Sequence, residues 1–136
     1  MGNRFLVLAA LSGLFSVAFG AYSAHALVGD MTALAQDWLI KAQNYQFVHT
    51  LALLALGFFV AATKNQVQPS CRRMGLNWIG YSWAVGIVCF SGSLYLMAAT
   101  GTEAVKYLTP IGGVAFLLGW GALAVISIGN CIKPRD

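Results

Sequence analysis

The chain has 136 residues, of which 59% are hydrophobic and only 9% charged. A soluble domain carries about 25% charged residues to cover its surface, so this composition excludes an ordinary water-soluble fold and calls for lipid as solvent. The net charge is +4, but the basic residues sit in short clusters between apolar runs, the pattern of membrane topology rather than of a nucleic-acid surface.

A membrane-crossing helix needs about 20 mostly apolar residues, because the hydrocarbon core is about 30 Å thick and a helix rises about 1.5 Å per residue. The first such stretch runs from Phe5 to Ala26. Arg4, the apolar run Phe5 to Phe19 and the small-residue sequence Ala24-His25-Ala26 also resemble a cleavable signal peptide. The apolar run outlasts a usual signal core, and four spans sort the charges, so a retained span is expected. Residues 32–44 differ: Leu34, Trp38, Leu39 and Ala42 recur at helical spacing, with Gln36, Asp37, Lys41 and Gln43 between them. This predicts a short amphipathic helix at the membrane interface, with Thr32 as its N-cap.

Three more spans follow, over Tyr45 to Thr63, Met74 to Thr100 and Pro110 to Ile132, none with an internal Asp, Glu, Lys or Arg. Pro69 falls in a loop, Pro110 at the first position of the last span, and Pro134 beyond it. A proline in the first turn lacks only an N–H that has no helical partner anyway. The expected fold is all-α, an antiparallel bundle of four transmembrane helices with an interfacial helix between the first and second spans, in one domain over residues 1–136.

Four spans place Arg4, Lys64, Arg72, Arg73, Lys133 and Arg135 on one side and Lys41 and Lys106 on the other. The basic side is expected to be cytoplasmic, with both termini there. Asp30, Asp37 and Glu103 fall on the opposite side. Tyr22, Trp38, Tyr45, Tyr95 and Tyr107 form one expected interfacial belt and Trp78, Tyr81 and Trp83 the other.

Small residues let helices approach closely in lipid, where hydrophobic drive between helices is weak. The first span carries Ser12, Ser16, Gly20 and Ser23 at helical spacing; the third Ser82, Gly86, Cys89 and Ser93; the fourth Gly112, Ala115, Gly119 and Ala122. These stripes are read as packing faces, the alternative being the lining of a narrow pore. The three cysteines, Cys71, Cys89 and Cys131, match neither a disulfide framework nor a zinc motif.

The only two histidines lie at span edges: His25 ends the first and His49 begins the second. Tyr45, Gln46 and His49 share one helix face at i, i+3 and i+4, and Tyr22 shares a face with His25. Both sets fall toward the outer side, so they could meet, and the spacing alone leaves contact between His25 and His49 open. Imidazoles there can bind a metal or haem, or relay protons, and ionisable groups in membranes are functional candidates. The structural reading is interhelical hydrogen bonding, and two histidines fall short of the roughly four ligands of a closed metal site. Asp30 or Asp37 is a conceivable third ligand. No P-loop, HExxH or CxxC motif occurs.

Four segments together resemble a known family. They are Gly20-Ala-Tyr-Ser-Ala-His25-Ala-Leu27; Ala42-Gln-Asn-Tyr45-Gln46-Phe-Val-His49 through Leu54; Phe90-Ser-Gly-Ser-Leu-Tyr95 through Gly101; and Thr109-Pro-Ile-Gly-Gly113 with Phe116-Leu-Leu-Gly-Trp120. In this order the chain is similar to the YgdD/YwdK family of small multi-pass membrane proteins, a domain-of-unknown-function family with eukaryotic relatives. Tyr22-Ser23 departs from the Phe-Gly often found before the family's Ala-His. The resemblance implies a bacterial inner-membrane protein with several spans and supplies no biochemical activity. The expected function is a non-enzymatic accessory or structural membrane component without a cofactor. A small channel or transporter, and a metal- or haem-binding redox component using His25 and His49, are the alternatives. The expected partners are the bilayer and either further copies of the chain or another membrane protein, with no nucleic acid.

Overall fold

The computed structural model describes residues 2–26, 29, 31–66 and 70–132. Asp30, Pro69, Lys133, Pro134 and Arg135, on which parts of the topology reading rest, lie outside the described residues. The elements are α1 (Gly2–Ala26), α2 (Ala33–Ala62), α3 (Ser70–Gly86), α4 (Gly92–Thr100) and α5 (Leu108–Ile132), with no strand among the described residues. A π-helical turn over Ile87–Ser91 joins α3 to α4 without a break. Among the described residues four stretches are long and apolar enough to cross a membrane: Asn3–His25, Ala33–Ala62, Ser70–Thr100 and Leu108–Gly129. The all-helical, four-span expectation therefore holds.

The separate helix predicted over residues 32–44 is not separate. It continues into the second span as one 30-residue helix. No glycine or proline lies between Thr32 and Gly57, so nothing interrupts the backbone ladder. Asp37 and Lys41 add an i, i+4 ion pair at 2.6 Å, the spacing that supports a helix. Thr32 caps the start as expected, its hydroxyl accepting from the Ala35 N–H at 3.2 Å. Pro110 is the third residue of α5 rather than the first, which the free N–H groups of a first turn tolerate equally. At the far end of α4, Gly101 takes φ of 68°, and its N–H returns to Met97 O at 2.9 Å. Among the described residues, that left-handed closure is the one place that needs a residue without Cβ for conformational reasons alone.

α1 lies along α2 with Leu6 against Gly57, Gly13 against Thr50 and Gly20 against Gln43. At one end of the molecule Phe5 fills the space beside Gly80, and Arg4 donates to the Tyr81 hydroxyl at 2.9 Å. Two buried apolar clusters form. One gathers Phe5, Leu53, Leu56, Ile79, Trp83 and Phe116, and the other Leu39, Ala42, Leu94, Tyr95 and Met97. Outside them Leu14, Val17, Leu117 and Val125 each keep about 70% of their surface exposed. Apolar surface in water costs about 25 cal/mol per Å2, so this inside-out distribution is stable only against lipid.

Trp83 and Tyr95, expected in the interfacial belts, are instead buried within the bundle. Tyr22, Trp78, Tyr81 and Tyr107 remain exposed, and Trp38 is half-buried.

Candidate functional site

A polar side chain in a hydrocarbon-solvated helix must find its partners inside the protein, because lipid offers none. Within its length α2 buries Gln46, His49 and Thr50. The Gln46 amide is used at both ends. Its Nε2 donates to the Ser12 carbonyl at 3.0 Å and to the Ser12 hydroxyl at 3.2 Å, while its Oε1 accepts from the Tyr95 hydroxyl at 2.6 Å. The Ser12 hydroxyl also lies 2.6 Å from that of Thr50. One amide thus fastens α1, α2 and α4 together. Nearer the start of α2, Gln43 Nε2 donates to the Ser23 hydroxyl at 3.3 Å.

His49 faces the other way, toward α5. Its Nε2 receives the Trp120 indole N–H at 3.1 Å, and its Nδ1 lies 2.7 Å from the Tyr45 carbonyl. An indole N–H only donates, so Nε2 must be the lone-pair nitrogen. The proton then sits on Nδ1 and points at the carbonyl. The imidazole stacks on Phe116 with ring centres 3.6 Å apart, and Trp83 packs on Trp120 at 4.7 Å. Tyr45 rests against Phe90 at 4.5 Å.

The small residues seat these rings. A Cβ at Gly86 would strike the Phe116 ring, one at Gly119 the Trp83 indole, and one at Gly112 the backbone of Phe90. Ser93 ties α4 to α5 through Thr109 at 2.7 Å. Ser12 lies in the Gln46 network, Gly20 meets Gln43, and Ser16 is half-buried on α1. On these two spans the gap at Gly86 is therefore filled by the Phe116 ring and that at Gly119 by the Trp83 indole, while Gly112 seats the Phe90 backbone.

The two histidines do not meet. Ser12 and Gly13 lie opposite Thr50, so His49 stands near the level of Gly13, twelve residues from His25, about 18 Å along the helix axis. His25 is exposed in the last turn of α1. Among the described residues no group of three or more His, Cys, Asp or Glu is arranged to hold a metal. His49 could ligate one only by releasing Trp120 or its own backbone contact.

Beside this network a cavity of about 620 Å3 opens between α1 and the third span, lined by Ser12, Phe15, Gln46, Ile87, Ser91 and Tyr95 among others. Ser91 closes the π-helical turn, and its buried hydroxyl has no hydrogen-bond partner.

Sequence reasoning placed Gln46 and His49 on a common face and missed Tyr95 and Trp120 as their partners. The available signal was the amide itself, since a glutamine inside an apolar span needs both a donor and an acceptor from neighbouring helices. Replacing Tyr95 by phenylalanine is expected to destabilise the protein by about 0.6 kcal/mol, and by no more than about 1.7, the measured span for interhelical hydrogen bonds. Gln46→Leu should cost more, because it leaves the Tyr95 hydroxyl unpaired and also removes both bonds that the amide makes to Ser12. Unfolding midpoints of the two variants and of their double variant check this, and an additive double variant would mean that the two side chains do not interact.

A family model described as "Protein of unknown function (DUF423)" matches residues 19–113, well over half of the chain. The chain belongs to the DUF423 family. The matched DUF423 segment contains His25, Tyr45, Gln46, His49, Ser91 and Tyr95 and leaves Ser12, Phe116 and Trp120 outside it. A UPF0382 membrane protein of Haemophilus influenzae is 40% identical over 124 residues, 91% of this chain and 93% of the relative. The UPF0382 inner membrane protein YgdD of Escherichia coli K12 is 38% identical over 129 residues, covering 94% and 92%. A UPF0382 membrane protein of Staphylococcus saprophyticus, SSP2132, is 39% identical over 121 residues, covering 89% and 93%. No solved structure matches this DUF423 chain.

Proposed function

We propose that this DUF423 member is a non-enzymatic accessory or structural component of the inner membrane. In this reading it is an antiparallel bundle of four spans with both termini in the cytoplasm, and the first turns of α2 lie at the outer interface. The order of contacts between α1 and α2, rising along one helix while falling along the other, supports the antiparallel arrangement. The clustering of Arg4, Lys64, Arg72 and Arg73 at one end supports the orientation.

One observation carries the functional reading. The buried side chains of α2 that would do metal, proton or solute chemistry are already engaged within the chain. Both ring nitrogens of His49 and both ends of the Gln46 amide have partners within the chain. Gly86, Gly112 and Gly119, which would line a pore, lie against Phe116, Phe90 and Trp83. Association with further copies or with another membrane protein would use the lipid-facing surface.

The test uses the purified full-length protein in mild detergent and in liposomes. The expected outcome is no chromophore or stoichiometric metal, and ion and metabolite flux equal to that of empty vesicles. A metal or haem present in the parent and lost in His49→Ala would overturn the proposal in favour of a redox role. Flux above the empty-vesicle level would overturn it in favour of transport.

A further inference from the structure

A second cavity, of about 580 Å3, lies among α2, α3 and α5, on the opposite face of α2 from the Gln46 network. Phe59, Leu76, Leu123 and Ile126 wall it, and Arg72, Trp83 and Trp120 also line it. Arg72 and Trp83 are eleven residues apart on one helix, about 16 Å, so the cavity is a groove with a basic end and an indole end.

Each end carries a buried N–H with no hydrogen-bond partner among the described residues. Arg72 holds its guanidinium over the Phe59 ring at 5.6 Å, and its Nε is buried without a hydrogen-bond partner. The Trp83 indole N–H, on a side chain only 2% exposed, also lacks one. No described carboxylate neutralises Arg72, for Asp37 and Glu103 are each paired with a lysine, Lys41 and Lys106. An occupant must therefore be apolar along the groove and negatively charged at the Arg72 end.

We propose that this groove binds one anionic phospholipid, its phosphate on Arg72 and an acyl chain lying along the α2 and α5 walls toward Trp83 and Trp120. A guanidinium matches phosphate oxygens with a two-pronged hydrogen bond that an ammonium cannot reproduce. Basic pockets between spanning helices are recognised seats for anionic headgroups. Because no acid among the described residues offsets Arg72, a lipid with net negative charge is favoured over one whose phosphate is already balanced by choline. The neighbouring Arg4, Lys64 and Arg73 give the same end a general basic character, so the assignment to Arg72 is what the experiment must separate.

The full-length protein in nonionic detergent is titrated with phosphatidylglycerol or phosphatidylcholine carrying brominated acyl chains. Retention is followed by native mass spectrometry and chain position by quenching of tryptophan fluorescence. One phosphatidylglycerol should be held at least about tenfold more tightly than phosphatidylcholine, the size of one hydrogen bond to a charged group, and should quench more strongly. Arg72→Ala should abolish that preference, Arg72→Lys reduce it and Arg73→Ala leave it. Glycerol phosphate, which has the headgroup anion without a chain, should not displace the lipid. Equal retention and quenching by the two lipids in the unsubstituted protein would overturn the proposal, whatever the variants do. Equal losses in Arg72→Ala and Arg73→Ala would also overturn it, in favour of a diffuse basic surface. Displacement by glycerol phosphate would replace it with a phosphate site.

Discussion

Replacing Gly112 by alanine is expected to destabilise the protein by about 2–3 kcal/mol, the upper part of the usual range for overpacking. A methyl group there would meet the Phe90 N and Cα atoms, which are backbone and cannot swing aside as a side-chain tip can. α5 and the π-helical turn would have to move apart, and the cost spreads. In lipid, close approach is itself the main source of attraction between helices, so separating them also loses contacts made by Phe116 against Gly86 and Trp83 against Gly119. Gly121, on the same helix, is the internal control, because nothing lies within 4 Å of a Cβ placed on it. There alanine should be neutral or stabilising by about 0.5–1 kcal/mol, the ordinary advantage of alanine over glycine in a helix. Unfolding midpoints in a denaturing-detergent titration compare the two. Matching shifts would mean that α5 does not press on Phe90.

The second large effect belongs to His49. Its ring is sandwiched among Phe116, Tyr45 and the Trp83–Trp120 pair. His49→Ala should therefore cost about 3–5 kcal/mol, as for removing a large buried ring. Trp120→Phe keeps most of the packing and deletes only the donor to Nε2, so about 0.6 kcal/mol is expected, with about 1.7 as the ceiling. His25→Ala, at an exposed position, should stay within about 0.5 kcal/mol of the parent. The same unfolding assay ranks the three. If His25→Ala matched His49→Ala, the two histidines would share a site and the placement described here would be wrong. If Trp120→Phe matched His49→Ala, the hydrogen bond rather than the ring would be what matters.

Much of this architecture can be read directly because it is local. Span length, the absence of charge within spans and the Thr32 cap depend on near neighbours in sequence. The positions of close approach at Gly86, Gly112 and Gly119 are legible for the same reason. What fills those positions is not. Trp120 reaches His49 across 71 residues and Tyr95 reaches Gln46 across 49, and no local spacing fixes how far one helix is rotated against another. Tyr95 and Trp83 read as interfacial aromatics because their one polar atom suits a headgroup. Burial instead leaves the tyrosine hydroxyl paired with Gln46 and the indole N–H of Trp83 unpaired. The division of α2 into an interfacial helix and a span failed because polarity changes near Asn44 whereas backbone continuity does not. Polarity marks the surroundings of a helix, and only glycine, proline or a competing cap marks its end.

The π-helical turn settles a matter of phase. Ile79, Trp83, Ile87, Ser91 and Tyr95 recur every four residues and are all buried, none more than 9% exposed. In an uninterrupted α-helix of 3.6 residues per turn, each four-residue step drifts about 40°, so Tyr95 would point about 160° away from Ile79. The wider turn at Ile87–Ser91 takes up an extra residue and cancels much of that drift. A single helix can thereby face Phe5, Leu53 and Phe116 with its first half and Leu39 and Ala42 with its second. Deleting one residue within the turn would remove that extra residue and return the span to regular α-helix with its two halves still in step, whereas inserting a further residue there would turn the second half by about 100° and swing Tyr95 away from Gln46 while leaving Trp83 where it is.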